Sequence, residues 1–220
     1  RFNPYRPDVT AAVASGYSVR KNDEQVGIDI SRGTEAAYQL FRPSVRRNVR
    51  RAQQSSLVYE LVPGSADNMH VFVEMYKKAM DFLMADPFFY FSPGYFDGLS
   101  MTSCAKLLFV RHGEKVVAAT ILLDDEPNER VYYHLGCFDR NYSLCRPMDF
   151  LYYAICQFAE SWGRRAVHLG GGAETLHRFK AGFSPKRISY YVGSRIFLEE
   201  QYGKICDLYL RLHPEMSSSQ

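Results

Sequence analysis

Three stretches of this 220-residue chain carry residue types able to do chemistry. The densest charge run is Arg42, Arg46, Arg47, Arg50 and Arg51, in which Arg46 and Arg50, like Arg47 and Arg51, stand one helical turn apart. Two ridges of guanidinium groups on one helix can grip phosphate bidentately, which makes Arg46, Arg47 and Arg50 candidate contacts for a nucleotide, a coenzyme or RNA. A solvated basic face is the plainer reading of the same run. Gly170, Gly171 and Gly172 follow a strand-like segment and precede a helix-like one, where exposed backbone N–H groups can meet an anion or let a substrate approach closely. The run matches no dinucleotide or Walker fingerprint, and a tight turn explains it equally well.

In the helix that follows, Leu176, Phe179 and Phe183 recur at helical spacing and are expected to pack inward. Lys180 is then roughly 100° round from Phe179, at the border of core and solvent. From there it can enter a cleft and hold developing negative charge, or snorkel to the surface. His134, His168 and His177 are the candidate proton acceptors, with Asp149 and Glu174 behind them; Glu174 already serves as a helix-dipole partner in a first turn. His134 and Cys137 lie in an extended segment that should turn them to opposite sides, which argues against a Cys/His nucleophilic pair.

These residues need elements to hold them. The stretch from Arg1 to Gly16 reads as an irregular lead-in, and Tyr17–Arg20 with Gln25–Ile30 as a hairpin about Lys21-Asn22-Asp23. A helix begins near Thr34 and another after Pro43, with Val45, Val49 and Ala52 as its apolar stripe. Leu57–Val62 is a strand, and Met69, Phe72, Val73, Tyr76, Met80 and Leu83 mark a long helix ended by Asp86-Pro87. A short helix covers Tyr95–Leu99. Lys106–Arg111, Val116–Leu123 and Arg130–Phe138 form an antiparallel meander. Then come a helix from Pro147 to Trp162, a strand at Ala166–Leu169, a helix at Glu174–Lys180, a strand at Arg187–Phe197 and a last helix through Leu212. That order describes an α/β fold: a mixed, mostly antiparallel central sheet with helices on both faces. The domain division expected is a lead-in, hairpin and basic helix over 1–56, one domain over 57–216 and a solvated tail over 217–220.

Composition narrows the class. The chain is 46% hydrophobic and 23% charged, which is globular, and its net charge of +3 excludes a wholesale polyanion binder. Sixteen Tyr and 15 Phe against one Trp suit a ring-lined cleft for a polar organic substrate. Five cysteines without CxxC pairing indicate neither a disulfide framework nor a zinc site, so no metal is expected. No apolar run approaches the roughly 18 residues of a membrane span, and no signal-peptide core opens the chain, which points to the cytoplasm.

Leu169-Gly170-Gly171-Gly172, followed by Leu176-His177-Arg178-Phe179-Lys180-Ala181-Gly182-Phe183, resembles the glycine turn and FKxxF helix of the Fem family. These are the aminoacyl transferases that build peptidoglycan cross-bridges, with a GNAT-like acyltransferase fold. Arg1-Phe2-Asn3-Pro4, the arginine helix from Ser44 to Ala52, and Val131-Tyr132-Tyr133-His134-Leu135-Gly136 resemble their places in that family, so the similarity runs along nearly the whole chain. Fem enzymes have twin halves, and the resemblance implies that this chain lacks most of the first. It further implies that Lys180 is catalytic, stabilising a phosphate or an oxyanion, with Phe179 as its packing neighbour and Tyr132 or Tyr133 as a hydroxyl near the substrate. Gly170, Gly171 and Gly172 complete the substrate site.

The donor implied is either a coenzyme A thioester or aminoacyl-tRNA, and the acceptor an amine on a small molecule or cell-wall precursor. GNAT enzymes that use acetyl-coenzyme A carry a Q/R-x-x-G-x-G/A loop after the meander. Here that place holds Arg140-Asn141-Tyr142-Ser143-Leu144-Cys145-Arg146-Pro147, without glycine, which favours a donor other than acetyl-coenzyme A. The alternatives are an acyl-coenzyme A N-acetyltransferase and a ligand-binding module without turnover; tRNA remains a candidate partner of the first reading.

Overall fold

The computed structural model describes residues 2–5 and 7–214. Along the chain run α1 (Val9–Ala14), β1 (Ser18–Asp29), α2 (Thr34–Gln39), α3 (Pro43–Gln53), β2 (Leu57–Val62), α4 (Ala66–Leu83) and α5 (Pro93–Ser100). There follow β3 (Ala105–His112), β4 (Lys115–Asp125), β5 (Arg130–Phe138), α6 (Pro147–Ser161), β6 (Ala166–Gly170), α7 (Glu174–Lys180), β7 (Arg187–Ser194) and α8 (Glu199–Leu212). The strand order is β2-β3-β4-β5-β6-β1-β7. The fold is α/β, with a mostly antiparallel sheet and helices on both of its faces.

Alternation along β3 builds two cores. Leu108 and Val110 face α2, α3, α6 and α7, whereas Leu107 and Phe109 face α4 and α5. The first core is dominated by α6, which begins at Pro147 and fully buries Leu151, Tyr152, Ala154, Ile155, Cys156 and Ala159. Each large apolar side chain so buried contributes about 1.5–3 kcal/mol. On the other face α4 is capped by Ser65, whose side chain accepts from Asn68 N, and it buries Met69, Phe72 and Tyr76. Its last residue, Leu83, is 52% exposed, so the apolar stripe expected there stops a turn early.

Between β5 and β6 the sheet changes character. These strands pair in parallel, and only through Arg130↔Ala166, Val131↔Val167 and Tyr132↔His168. On the outer side of β5 the register jumps from Ile121↔Leu135 to Leu122↔Tyr133, which makes His134 a bulge. On the outer side of β6 it jumps from Gly27↔His168 to Val26↔Gly170, leaving Leu169 as the extra residue. Bulges bend and twist a strand. One on each side of the pair accompanies its parting after the third rung.

By contact density the chain divides into Glu24–Ile188 and a smaller unit of Arg1–Asp23 with Ser189–Gln220. Within the smaller unit Phe2 N donates to Tyr191 O at 3.2 Å and Arg195 Nη1 to Ser15 O at 2.6 Å.

Several local expectations are corrected. The lead-in holds α1, capped by Asp8 through Ala11 N. Lys21-Asn22-Asp23 makes no hairpin: all three side chains are exposed and the strand runs through them, since polar residues cost nothing where a strand is solvated. The strand β7 ends at Ser194, short of Phe197. The expected tail over 217–220, and the end of the 57–216 division, lie outside the described residues.

Candidate active site

Lys180 is the last residue of α7, and only 3% of its surface is exposed. Its Nζ donates to the Gly171 carbonyl at 2.6 Å and lies 5.0 Å from the centre of the Tyr133 ring. A Cβ placed on Gly170 would come within 3.8 Å of that Nζ and 3.9 Å of the Tyr133 carbonyl oxygen. The ammonium therefore sits where β5 and β6 part. Taking an ammonium out of water is costly, and a single carbonyl with one ring face offsets that only partly. Burial lowers the Lys180 pKa to about 8. At neutral pH the site holds a buried cation with no carboxylate partner among the described residues, a setting in which an incoming oxyanion or phosphate oxygen is strongly attracted.

The glycines make this placement possible. Gly170 has φ +70° and Gly172 φ +140°, a turn that presents the Gly171 carbonyl to Lys180. A Cβ on Gly172 would lie 2.7 Å from Leu176 Cδ2. Leu176 itself is 40% exposed, contrary to the inward packing expected of it. Lys180 takes the inward place instead, because α7 meets the gap between strands rather than a closed sheet.

Rings wall the site. Tyr133 stacks on Tyr152 with centroids 5.0 Å apart, and Tyr152 meets Phe179 at 5.6 Å and Phe183 at 4.8 Å. Phe179 thus supports the wall from behind. Gly136 is part of the same device, since a Cβ there would collide with Tyr133 Oη. Without the bulge at His134, residues 133 and 136 would face opposite sides of the sheet.

The last parallel rung adds Tyr132 and His168, with ring centroids 5.2 Å apart. His168 is 5% exposed, and its Nδ1 accepts from Gly170 N at 3.2 Å. Burial, with the charges of Lys180 and Arg130, lowers its pKa to about 4, so it stays neutral at physiological pH and is a weak base.

His134 faces the α5 side, hydrogen-bonded through Nε2 to Tyr95 Oη. Burial lowers its pKa below the ordinary imidazole value. Cys137 belongs to the same α4/α5 core, so the bulge puts both residues on one face rather than on opposite faces as the strand pattern predicts. Cys137 is nevertheless no nucleophile, since burial pushes its thiol far up. His177 is half-buried one turn before Lys180, with Nε2 lacking a hydrogen-bond partner among the described residues.

The arginine helix is not brought into this cluster. Arg46 Nη1 donates to Gln39 O at 2.6 Å and Phe41 O at 2.8 Å, so it caps the end of α2 instead of facing a ligand. Arg47 and Arg50 are exposed on α3. Asp149 ties α6 to α3 by accepting from Asn48 Nδ2 at 3.1 Å, and Glu174 pairs with Arg178 at 2.7 Å on the surface of α7. In the loop before α6, Arg140 lies 4.2 Å over the Phe82 ring, while Arg146 opens the helix at φ +58°. Tyr152 and Gln25, whose Nε2 would be 3.6 Å from a Cβ on Gly171, join the site without having been singled out, and Tyr95 stands with His134 on the α5 side. Tyr152 lies in an apolar helix stripe, where spacing cannot tell a site wall from ordinary core.

Among solved structures, the C-terminal domain of a protein described as a lysylphosphatidylglycerol synthetase from Agrobacterium fabrum superposes over 92% of this chain and 69% of its own, with TM-score 0.65 and 19% identity. FemX superposes over 90% of this chain and 70% of its own, with TM-score 0.70 and 13% identity. L-PGS from Bacillus licheniformis does so over 86% of this chain and 65% of its own, with TM-score 0.65 and 16% identity. At these identities the likeness is one of fold. No curated protein matches the sequence. The acetyltransferase (GNAT) domain family matches residues 39–181, a span that holds α3, the diverging strands and Lys180, and the chain therefore belongs to that family.

Proposed function

We propose that this domain transfers an aminoacyl or acyl group from an ester or thioester donor to an amine in envelope biosynthesis, in the manner of Fem-type enzymes. The observation that carries this reading is the buried Lys180 ammonium at the parting of β5 and β6, held by one carbonyl and one ring face and facing no carboxylate among the described residues. The likeness of fold to FemX and to a lysylphosphatidylglycerol synthetase domain supports it. In the reaction an amine nitrogen bonds to the donor carbonyl carbon and the carbonyl oxygen takes up negative charge. Lys180 holds that oxygen. Collapse of the tetrahedral state breaks the C–O or C–S bond and releases the alcohol or thiol. For the proton lost by the acceptor ammonium we assign the neutral His134, hydrogen-bonded to Tyr95 Oη on the α5 side of the bulge.

A second reading, acetyl transfer from coenzyme A, is favoured by the description of the matching family as an acetyltransferase domain. One experiment separates them: thermal-shift and binding measurements with coenzyme A, acetyl-coenzyme A, a nucleotide-linked cell-wall precursor and aminoacyl-tRNA, each repeated with Lys180→Ala. Stabilisation by the precursor or the charged tRNA, weakened in Lys180→Ala, is the expected result. Stabilisation by coenzyme A instead establishes the second reading, and no response to any of the four would favour a non-catalytic module. With a donor identified, Lys180→Ala lowers kcat/KM about 10²- to 10³-fold, as loss of one oxyanion contact does elsewhere.

A further inference from the structure

None of the residues of α8, from Glu199 to Leu212, is buried. Its sequence nevertheless has a strong apolar side. Leu198, Tyr202, Ile205, Tyr209 and Leu212 recur at intervals of four, three, four and three, and each is between 49 and 69% exposed. At 100° per residue all five fall on one narrow stripe, while Glu200, Lys204, Asp207 and Arg211 occupy the opposite side. The half-buried residues of the helix, Gly203 and Cys206, lie off the stripe, so the little cover α8 has comes from another direction.

We infer that this stripe is an interface between two copies of the chain, with α8 packing antiparallel against α8 of a second copy. The spacing is that of a and d positions over two heptads, a surface built to meet another of its own kind along a seam. The helix dipole selects the direction, since antiparallel pairing opposes the two macrodipoles and parallel pairing would align them. With Leu208 and Phe197, 54 and 69% exposed, flanking the stripe, two copies cover on the order of 1,000 Å², the size at which specific interfaces begin. A two-fold pairing of this kind closes on itself.

Cys206 gives a direct readout, since it borders the stripe near its midpoint, where a two-fold axis brings the two thiols close. The chain is to be measured by light scattering after size exclusion at tens of micromolar, and treated in parallel with a short bis-maleimide. The expected result is twice the chain mass and a covalent dimer that Cys206→Ser removes but Cys104→Ser and Cys145→Ser do not. Ile205→Glu should shift the mass to that of one chain, with far-UV circular dichroism unchanged. A single-chain mass for the unaltered protein, or a dimer that survives both Ile205→Glu and Tyr209→Glu, overturns the inference. So does a single chain that binds anionic lipid vesicles through α8, which would give the stripe a membrane as its occupant.

Discussion

In the proposed reaction, stability and function pull in opposite directions at Lys180. Its folded pKa of about 8 lies below the ordinary lysine value of 10.5 because burial penalises the charged form. The folded state thus carries a cost at neutral pH that the unfolded chain does not, worth about 3 kcal/mol at 1.36 kcal/mol per unit. Lys180→Met keeps the volume and removes the charge. It is expected to raise stability at pH 7 by roughly that amount in urea melts, while lowering any transfer activity about 10²- to 10³-fold. A loss of stability would mean that the bond to Gly171 outweighs the burial cost. At the bulge, Tyr95→Phe tests the proton route. It should lower kcat with little change in KM and shift the acidic limb of the pH–rate profile, leaving the fold intact because Phe91 still stacks on the ring, now 4.6 Å away.

At the scale of elements, the site depends on two strands that stop pairing. The bulge at His134 sends Tyr133 along the same face as Gly136, where only a glycine leaves room for its hydroxyl. Gly136→Ala should displace the Tyr133 ring from Tyr152 and cost about 1–3 kcal/mol, the usual range for overpacking. A crystal structure of the variant, or the urea midpoint with m unchanged, checks this. Much of the element order was legible in sequence. Pro43, Ser65, Pro93 and Pro147 start helices where capping and proline chemistry say they should, and the meander shows in its β-branched runs. The bulges were not legible, because an extra residue leaves no mark in hydrophobic alternation when aromatic and small residues share the strand. For the same reason Lys180 read as a border residue: helical spacing gives its azimuth but not the gap in the sheet that α7 covers. Arg46 shows the converse. Its type and spacing suggest a phosphate ligand, and its actual partners are two backbone carbonyls at a helix end that no sequence pattern locates.

For the whole molecule, the two buried bases set the pH response. His168 has a folded pKa near 4 against 6.5 unfolded, so the unfolded chain binds the extra proton between those values and stability falls as pH drops from 6.5 to 4, by up to about 3 kcal/mol. Lys180 acts in the same sense higher up, and stability should climb again between pH 8 and 10.5. Asp149 opposes them above its ordinary value of 3.8, since burial raises its pKa. Urea midpoints measured from pH 4 to 7 should therefore rise with pH, and a His168→Asn variant should flatten that slope. A slope unchanged in the variant would assign it to other groups.

The three-rung parallel ladder has a consequence for the order in which the molecule acquires its site. The strands β3, β4 and β5 are joined by tight connections and can zip together from local contacts, but β6 reaches β5 only by way of α6, as parallel neighbours must. During synthesis the meander can assemble while Lys180 is still inside the ribosome. The site then comes into being last, when α6 has settled on the sheet and the glycine turn has emerged behind it, so a nascent chain is a scaffold before its candidate site exists.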